Sequence, residues 1–456
     1  MKLPPSFVAA LVTLLAAGAP VGTLAQRAAN PAFAPVEDDP DLPRVLLVGD
    51  SISIGYTLPV RERLAGIANV HRVPANAGDT GRGLEQLSAW LETLGGKWDL
   101  VHFNFGLHDL CYRHPDSPNP GRRDKERGAQ AYGVEEYAAN LGTIADRLAK
   151  TGARLVFATT TPVPEGELGR VAGDELRYNE AAVAAMRTRG VEINDLHRLM
   201  AGEMERYGKG PGNVHFTDEG SERLAAQVAG AIAEALAPER EGRRVLFDGG
   251  ALEPIWHFPQ PGGWEIEADG SMVCRVKEGT DRQGRPRMVS MGDIWTHLDY
   301  DDFELRLSYK LSEAANSGVF YRANPRNPVQ DGLEIQLMDD EGFQRGRETP
   351  LEARKLNASF YDGKAPSKDA AKPLGEWNDF VLRCEGPRIR VVLNGEEVID
   401  LDIDDWDTPG RNPDGTENKF ARALKDFPRR GRVGFQNHGQ VVWFREVSIL
   451  RLDGGD

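Results

Sequence analysis

Several positions in the first half of the chain have residue types that suit acyl transfer. Ser51 follows an apolar run, and His215 precedes a long amphipathic segment. A serine hydroxyl becomes a strong nucleophile when an imidazole accepts its proton, so this pair could attack an ester carbonyl. Gly78 and His108 each follow a further apolar run. A backbone N–H at Gly78 could stabilise the oxyanion that the attack creates, because a glycine permits close approach to the backbone.

The segments around these residues predict a parallel sheet with helices on both faces. Apolar runs at 44–49, 100–105 and 154–159 are typical of buried strands. Apolar residues recur at helical spacing from Val134 to Leu148 and from Leu224 to Leu236. Strands that alternate with helices form parallel sheets, whose chemistry gathers at the carboxyl ends of the strands. The Ser51 N–H is then expected at a helix N-terminus, which favours a developing negative charge.

The first half resembles the SGNH hydrolase superfamily (GDSL-like esterases and lipases) over residues 43–237. The first block matches GDSIS at 49–53, the second-block glycine matches Gly78, and the terminal histidine matches His215. The resemblance implies a flavodoxin-like three-layer α/β fold, with Ser51 as nucleophile and His215 as general base. It also implies that the N–H groups of Ser51 and Gly78, with His108, hold the oxyanion. Family members deacylate carbohydrates, lipids, thioesters or other esters, so the substrate stays open.

Two positions depart from the family pattern. The third block usually has the form GxND, and His108 occupies the place of its asparagine. The aspartate expected three residues before the histidine is replaced by Gly212, with Asn213 next to it. Loss of that carboxylate can lower the rate by about 10⁴, unless Asp195, Asp218 or a backbone carbonyl substitutes for it. The alternatives are therefore an active hydrolase and a degenerate domain that only binds.

In the second half of the chain, apolar residues recur with a different periodicity. A charged segment at 238–244 is predicted to be the linker, and 245–452 the second domain. Residues 303–311 alternate between apolar and polar, as in a half-buried antiparallel strand. Another alternating run ends at Asn394-Gly395, a strong hairpin signal. Many short strands separated by turns predict an all-β sandwich.

Polar residues on these predicted strands form a second candidate site. Glu334 and Gln336 alternate with apolar neighbours and therefore share one face of a strand. Carboxylate, amide and guanidinium groups on a sheet face suit sugar hydroxyls, and a tryptophan could stack on a pyranose ring. Aromatic side chains more often fill sandwich cores, however, and a histidine at a turn is by default structural. The candidate residues are Asn316, Arg322, Glu334, Gln336, Trp377 and His438.

The second half resembles the 3-keto-disaccharide hydrolase domain, long called DUF1080. Its motifs are FDG at 247, NSGVFYR at 316, EIQ at 334, GEWND at 375, LNG at 393 and GFQNHG at 434. The resemblance implies a concanavalin-like jelly roll that cleaves 3-keto-glycosides, in which the C3 ketone acidifies C2 and the C1 substituent is eliminated. Glu334 is then the candidate base, and Arg322, Gln336 and His438 are binding or polarising candidates. The alternatives are a module that only binds sugar and a structural Glu334–Arg322 pair.

Composition and the N-terminus limit the class of protein. The chain has 456 residues and a net charge of −15, so we expect two domains and no nucleic-acid partner. Residues 1–25 have the layout of a signal peptide, which predicts a secreted or periplasmic protein, and no other stretch could span a membrane. Cys111, Cys274 and Cys384 lack metal-ligand spacing, although the last two could form a disulfide.

The preferred interpretation is an exported carbohydrate-active hydrolase. Its first domain removes acyl groups, most simply acetyl groups, from a glycan that the second domain holds. The contrasting hypotheses are a 3-keto-glycoside hydrolase or lyase with an accessory first domain, and a glycan-binding protein without turnover. No cofactor is expected; the resemblance leaves room for a divalent metal in the second domain, but no residue spacing shows one.

Overall fold

The computed structural model describes residues 30–92, 95–280 and 283–452. The predicted signal peptide at 1–25 lies outside these ranges. Within these ranges, no helix combines the length and the hydropathy of a transmembrane span. Cys111, Cys274 and Cys384 are all buried as free thiols, so the structure does not contain the disulfide that the sequence left open.

The first domain contains a five-stranded parallel sheet. The strands of this domain are β1 (Arg44–Val48), β2 (Asn69–Arg72), β3 (Leu100–Phe103), β4 (Tyr112–Arg113), β5 (Ala129–Gln130), β6 (Arg154–Ala158) and β7 (Glu192–Asn194). The sheet order is β2-β1-β3-β6-β7, while β4 and β5 form a separate hairpin. Counting only sheet strands, this is the flavodoxin-like order 2-1-3-4-5. The predicted fold class of this domain is confirmed.

Helices cover both faces of the parallel sheet. They are α1 (Ser51–Arg63), α2 (Thr80–Glu92), α3 (Val134–Ala149), α4 (Asp174–Arg187), α5 (Leu196–Met200), α6 (Met204–Tyr207) and α7 (Asp218–Leu236). Helix α1 packs against α7, and α3 packs against α2 and α4. Right-handed crossovers put these two groups on opposite faces. All residues of β3 are buried, which explains why the strands lack polar alternation.

The second domain is an antiparallel sandwich. Its strands before residue 300 are β8 (Glu239–Arg240), β9 (Arg243–Phe247), β10 (Trp256–His257), β11 (Trp264–Ile266), β12 (Met272–Cys274), β13 (Val276–Thr280), β14 (Pro286–Ser290) and β15 (Ile294–Thr296). The later strands are β16 (Phe303–Leu311), β17 (Asn316–Ala323), β18 (Leu333–Met338), β19 (Asn378–Glu385), β20 (Arg388–Leu393), β21 (Glu396–Asp402), β22 (Arg432–Phe435) and β23 (Val442–Arg451). A short helix, α8 (Asp340–Gln344), follows β18.

These strands form two main sheets. The smaller sheet has the order β10-β15-β22-β17-β18, and the larger contains β11-β12-β23-β16-β19-β20-β21 with β9 and β8 attached to β23. Strand β16 coincides with the alternating run predicted at 303–311. Asn394 and Gly395 join β20 to β21 with φ of +51° and +85°, the two positive values that a type I′ hairpin turn requires. The predicted sandwich is confirmed.

The segment predicted to be a linker is part of this sandwich. Residues 239–240 form β8, which pairs with β9, and β9 pairs with β23 of the larger sheet. Arg244 of β9 contacts the first domain, donating to both carboxylate oxygens of Glu192 at 2.6 and 2.8 Å. The connection between the domains is therefore hydrogen-bonded along its length and fixed by a buried ion pair.

A buried acid of α7 makes a second contact between the domains. Glu234 accepts hydrogen bonds from the backbone N–H groups of His297 and Leu298, at 2.6 and 2.9 Å. It also accepts a hydrogen bond from the Tyr300 hydroxyl at 2.5 Å. Gly230 lies one turn earlier on α7, and a Cβ there would be 2.3 Å from the His297 ring. The missing side chain lets the helix approach the sandwich closely.

Candidate active site

Ser51 and His215 meet at the carboxyl end of the parallel sheet. Ser51 is the first residue of α1, and its Oγ lies 2.9 Å from His215 Nε2. The side chain of Asp50 caps α1 by accepting a hydrogen bond from the Ile52 N–H at 2.9 Å. This cap holds the strand-to-helix turn that carries Ser51. His215 lies in the loop that leads into α7, whose N-cap is Thr217.

Asn213 is the third member of this group. Its Oδ1 lies 3.0 Å from the backbone N of His215 and 2.8 Å from His215 Nδ1. A backbone N–H can only donate, so the Asn213 atom that it contacts must be the amide oxygen. Nδ1 must then carry the proton that this oxygen accepts. Nε2 is left with a lone pair, which is the tautomer needed to take the proton of Ser51.

The backbone explains why position 212 is a glycine. Gly212 has a φ of +64°, and a Cβ at this position would lie 2.7 Å from the carbonyl oxygen of Gly166. An aspartate at 212 would therefore be strained by its own backbone and would collide with the neighbouring loop. The carboxylate that the family pattern places here does not fit this loop.

The acids considered as substitutes do not reach His215. Asp195 caps α5, where it accepts hydrogen bonds from Thr159 Oγ1 and the Arg198 N–H at 3.0 and 2.9 Å. Asp218 is exposed in the first turn of α7. The expectation of a replacement carboxylate or backbone carbonyl is therefore wrong, because the side-chain amide of Asn213 already occupies Nδ1. The sequence placed this residue beside the missing aspartate without assigning it a role.

Electrostatics keep His215 in its basic, neutral form. Burial lowers the pKa of His215 below the usual histidine value; Asp50 opposes this, whereas Lys209 and Arg170 reinforce it. An amide partner adds no negative charge that would raise the pKa again. The imidazole is therefore unprotonated at neutral pH and available as a base.

The predicted oxyanion donors differ in whether their N–H groups already donate a hydrogen bond within the protein. The Ser51 N–H and the His108 imidazole make no hydrogen bond to the part of the chain that the structure describes. Burial lowers the pKa of His108, so it is neutral and retains one N–H to donate. The Gly78 N–H instead donates to Asn76 Oδ1 at 2.9 Å, within an Asx turn. Gly78 can contribute to an oxyanion hole only if this bond is released or shared.

A buried acid anchors two arginines beside the site. Glu167 accepts hydrogen bonds from Arg123 Nη1 at 2.8 Å and from Arg170 Nη1 at 3.0 Å. Arg170 also donates from Nε to the carbonyl oxygen of Leu107 at 2.6 Å, which braces the loop carrying His108. Arg123 lies in a segment of the sequence that is rich in basic residues, 122–127, whereas no motif indicated Arg170 or Glu167. Their role depends on two loops that meet only in the folded chain.

The second candidate site lies on the outer face of the smaller sheet. Phe320 is opposite Glu334, and Gly318 is opposite Gln336, so all four share this face. A Cβ at Gly318 would lie 2.3 Å from Glu334 Oε1, so the glycine makes room for this carboxylate. Gln336 Nε2 donates to Asn316 Oδ1 at 2.9 Å. The structure thus brings together Asn316, Glu334 and Gln336, as the sequence predicted.

Two carboxyl groups near this face have raised pKa values. Burial raises the pKa of Glu334, which Lys419 Nζ at 3.4 Å opposes and Asp293 reinforces. Burial also raises the pKa of Asp293 to about 6, against one hydrogen bond from the Asn437 N–H. Sequence reasoning missed Asp293, because it lies in a connection before β15 and no motif contains it. Neighbouring acids with raised pKa values are candidates for proton transfer.

The other predicted residues of the second domain lie elsewhere. Arg322 is buried, donating to the carbonyl oxygens of Asp301 and Gly386 at 2.8 and 2.7 Å, so its role is structural. The Trp377 ring contacts two cations of the larger sheet: its centroid lies 4.9 Å from Lys310 Nζ and 4.3 Å from Arg445 Cζ. His438 is exposed at a turn. Glu334 pairs with Lys419, so the Glu334–Arg322 pair is not formed.

Neither half of the described chain holds an evident metal site. Residues 30–92, 95–280 and 283–452 contain no group of at least three His, Cys, Asp or Glu side chains arranged to bind a metal ion. The acids of the second site are paired with Lys419 or hydrogen-bonded to Asn437. What the two sites offer is therefore a nucleophile–base pair in one domain and buried carboxyl groups in the other.

Comparison with known proteins assigns the two halves separately. Residues 47–223 match the model of the GDSL-like lipase/acylhydrolase family, and residues 242–450 match the 3-keto-alpha-glucoside-1,2-lyase-like domain. A Bacteroides thetaiotaomicron protein named 3-keto-disaccharide hydrolase is 24% identical over 241 residues, covering 48% of this chain and 81% of that protein.

Solved structures resemble each half with low overall scores. A candidate glycosyl hydrolase from Parabacteroides distasonis is 29% identical, covers 46% of this chain and 99% of its own, and has a TM-score of 0.39. A GDSL-like lipase from Bacteroides thetaiotaomicron is 17% identical, and its match covers 42% of this chain and 89% of its own. Its TM-score is 0.32. The two family matches support a carbohydrate-active hydrolase, in which a half similar to the GDSL-like lipase/acylhydrolase family precedes a half similar to the 3-keto-alpha-glucoside-1,2-lyase-like domain.

Proposed function

We propose that the first domain is a serine esterase that removes acyl groups, most simply acetyl groups, from carbohydrates outside the cytoplasm. The observation that carries this proposal is the Ser51 Oγ–His215 Nε2 distance of 2.9 Å, with Nδ1 held by Asn213 at 2.8 Å. A sugar substrate is supported by the match of the second domain to the 3-keto-alpha-glucoside-1,2-lyase-like family model. Export is supported by the signal-peptide pattern of residues 1–25.

The proposed reaction uses the chain's own groups at each step. Ser51 Oγ attacks the acyl carbonyl while His215 Nε2 accepts its proton. The Ser51 N–H and His108 donate hydrogen bonds to the oxyanion of the tetrahedral intermediate. His215 then returns the proton to the departing sugar oxygen, leaving an acyl group on Ser51. Water attacks this acyl group while His215 takes its proton, and His215 returns that proton to Ser51 Oγ as the acid leaves.

Hydrolysis of p-nitrophenyl acetate and of an acetylated oligosaccharide tests this proposal. Wild type should hydrolyse both, and Ser51→Ala should lose the activity. Ser88→Ala is a matched control, because Ser88 is an exposed serine on α2 away from the site. A fluorophosphonate should label wild type and Ser88→Ala but not Ser51→Ala. A folded wild type without esterase activity or labelling would refute the proposal.

A second function rests on Glu334, and it belongs to the second domain. A buried carboxyl with a raised pKa, beside Asn316 and Gln336, suits removal of the acidic C2 proton of a 3-keto-glycoside. The electrons of that C–H bond form an enolate, which expels the C1 substituent. Loss of 3-keto-disaccharide cleavage in Glu334→Gln, with full activity in Ser51→Ala, would support this function. The exposed Glu397 of β21 provides the control variant Glu397→Gln.

A further inference from the structure

A cavity of about 560 Å³ lies between the two domains. Helix α7 contributes Glu222, Arg223 and Gln227 to its wall, and the sandwich contributes His257, Asp293 and Trp295. This volume is typical of small-ligand sites, which also favour domain boundaries. We propose that the cavity binds a sugar carrying an anionic group, a carboxylate or a sulfate, and that Arg223 supplies the contact to that group. The proposal rests on the carbohydrate assignment and not on the esterase mechanism.

The cavity continues the face that carries Glu334. His257 is opposite Trp295, Trp295 is opposite Gly434, Gly434 is opposite Phe320, and Phe320 is opposite Glu334. Directly opposed residues of neighbouring strands share a face, so these positions form one row across the smaller sheet. A ligand in the cavity therefore lies at one end of the row, with the Glu334 carboxyl at the other.

The cavity also has an apolar wall for the sugar ring. The Trp295 and Phe320 rings stack with centroids 5.4 Å apart and an interplanar angle of 16°. Trp295 lines the cavity and Phe320 supports it from behind. An indole held in this way can pack against the C–H face of a pyranose.

Arginines outnumber acids in the lining, although the chain as a whole has a net charge of −15. The lining contains two acids, Glu222 and Asp293, and the arginines Arg63, Arg198, Arg223, Arg326 and Arg432. Burial lowers the pKa of His257 to about 4, so this histidine stays neutral. An excess of guanidinium groups in the lining favours an anionic ligand.

Among the arginines that line the cavity, Arg223 is the one available to bind an anionic group. Arg63, Arg198 and Arg326 each form an ion pair, with Glu222, Asp299 and Glu203 respectively. Arg432 donates to Thr296 and Gln227. Arg223 makes no hydrogen bond or ion pair to the described residues, and its Cζ lies 5.4 Å from the centroid of the Tyr207 ring. Its guanidinium can therefore take up an anion without losing a carboxylate partner.

Calorimetric titration with three oligosaccharides of equal length tests the proposal: a uronate, a sulfated sugar and a neutral one. Wild type should bind at least one anionic sugar in a saturable way, more tightly than the neutral sugar, and more weakly at high salt. Arg223→Gln should weaken that binding by about 10-fold or more. Arg206→Gln should bind like wild type, because Arg206 contacts the same Tyr207 ring but does not line the cavity.

The outcomes separate this inference from the proposed esterase. Equal affinity for the neutral sugar, no binding of either anionic sugar, or an unchanged affinity in Arg223→Gln would each overturn the inference and leave the Ser51 chemistry untouched. Selective anionic binding by a protein without esterase activity would support the inference and contradict the esterase. The uronate and sulfate titrations identify which anionic group is preferred.

Discussion

The side-chain oxygen of Asn213 accepts hydrogen bonds from two atoms of His215, the backbone N at 3.0 Å and Nδ1 at 2.8 Å. The backbone N–H orients the amide, and the amide in turn selects the imidazole tautomer. An aspartate at this point of a triad both orients the histidine and stabilises its positive charge. Asn213 provides the first of these contributions without a net charge.

Removing the Asn213 amide should lower the catalytic rate, because this amide orients His215. We expect Asn213→Ala to lower kcat for p-nitrophenyl acetate by about 10²- to 10⁴-fold, because His215 loses its tautomer and position. The KM should change little, since Asn213 contacts the base and not the substrate. An unchanged kcat in a correctly folded variant would show that Asn213 does not position His215.

A negative charge at position 213 should shift the dependence of kcat/KM on pH. Burial lowers the pKa of His215 in the natural protein, and only the neutral imidazole is active, so activity should persist below the usual histidine pKa near 6.5. In Asn213→Asp the carboxylate favours the imidazolium and raises that pKa. The acid limb of the kcat/KM profile should then move to higher pH. A profile identical to wild type would contradict the assigned contact.

An aspartate at the family position should not rescue the triad. In Gly212→Asp the side chain would start 2.7 Å from the Gly166 carbonyl oxygen, at a φ of +64°. We expect a lower Tm and lower esterase activity. Gly190→Asp is the matched control, since its φ of +63° is nearly the same but no atom lies within 4 Å of the added Cβ. A Gly212→Asp enzyme as stable as Gly190→Asp, with raised activity, would contradict this explanation.

Local segments of the sequence predicted most of the first domain. The apolar runs of β1 and β3 are properties of neighbouring residues, so they identified the strand ends near which Ser51 and His108 would lie. The partner of His215 could not be predicted in this way. It depends on how closely the backbone at Gly212 approaches Gly166, a contact between distant parts of the chain.

Strand alternation failed at Arg322 for a definable reason. The pairing of β17 with β22 shifts between Phe320 and Ala323, and Arg322 has a φ of +46°. The irregularity turns the guanidinium into the structure, where it hydrogen-bonds to backbone carbonyls. A sequence pattern assumes an unbroken period of two, so it cannot show such a shift. Glu334 and Gln336 lie on regular β18 and were placed correctly.

The domain interface should weaken as the pH rises, because of Glu234. Burial raises the pKa of Glu234 from its usual 4.5 to about 7. The folded state therefore holds this proton more tightly than the unfolded state, and the resulting stability is complete below pH 4.5 and lost as the pH rises through 7. The shift corresponds to about 3 kcal/mol. Thermal unfolding between pH 5 and pH 8 should show this loss in wild type.

Glu234→Gln should remove this part of the pH dependence. Its amide oxygen can accept from the His297 and Leu298 N–H groups, while the Tyr300 hydroxyl reverses to accept from the amide N–H. The variant should therefore match wild type at pH 5 and exceed it at pH 8. Glu180→Gln, an exposed substitution on α4, should follow wild type at both values. If Glu234→Gln lost stability with pH as steeply as wild type, another buried group would have to be responsible, and Glu234 would be ionised in the folded protein at pH 5.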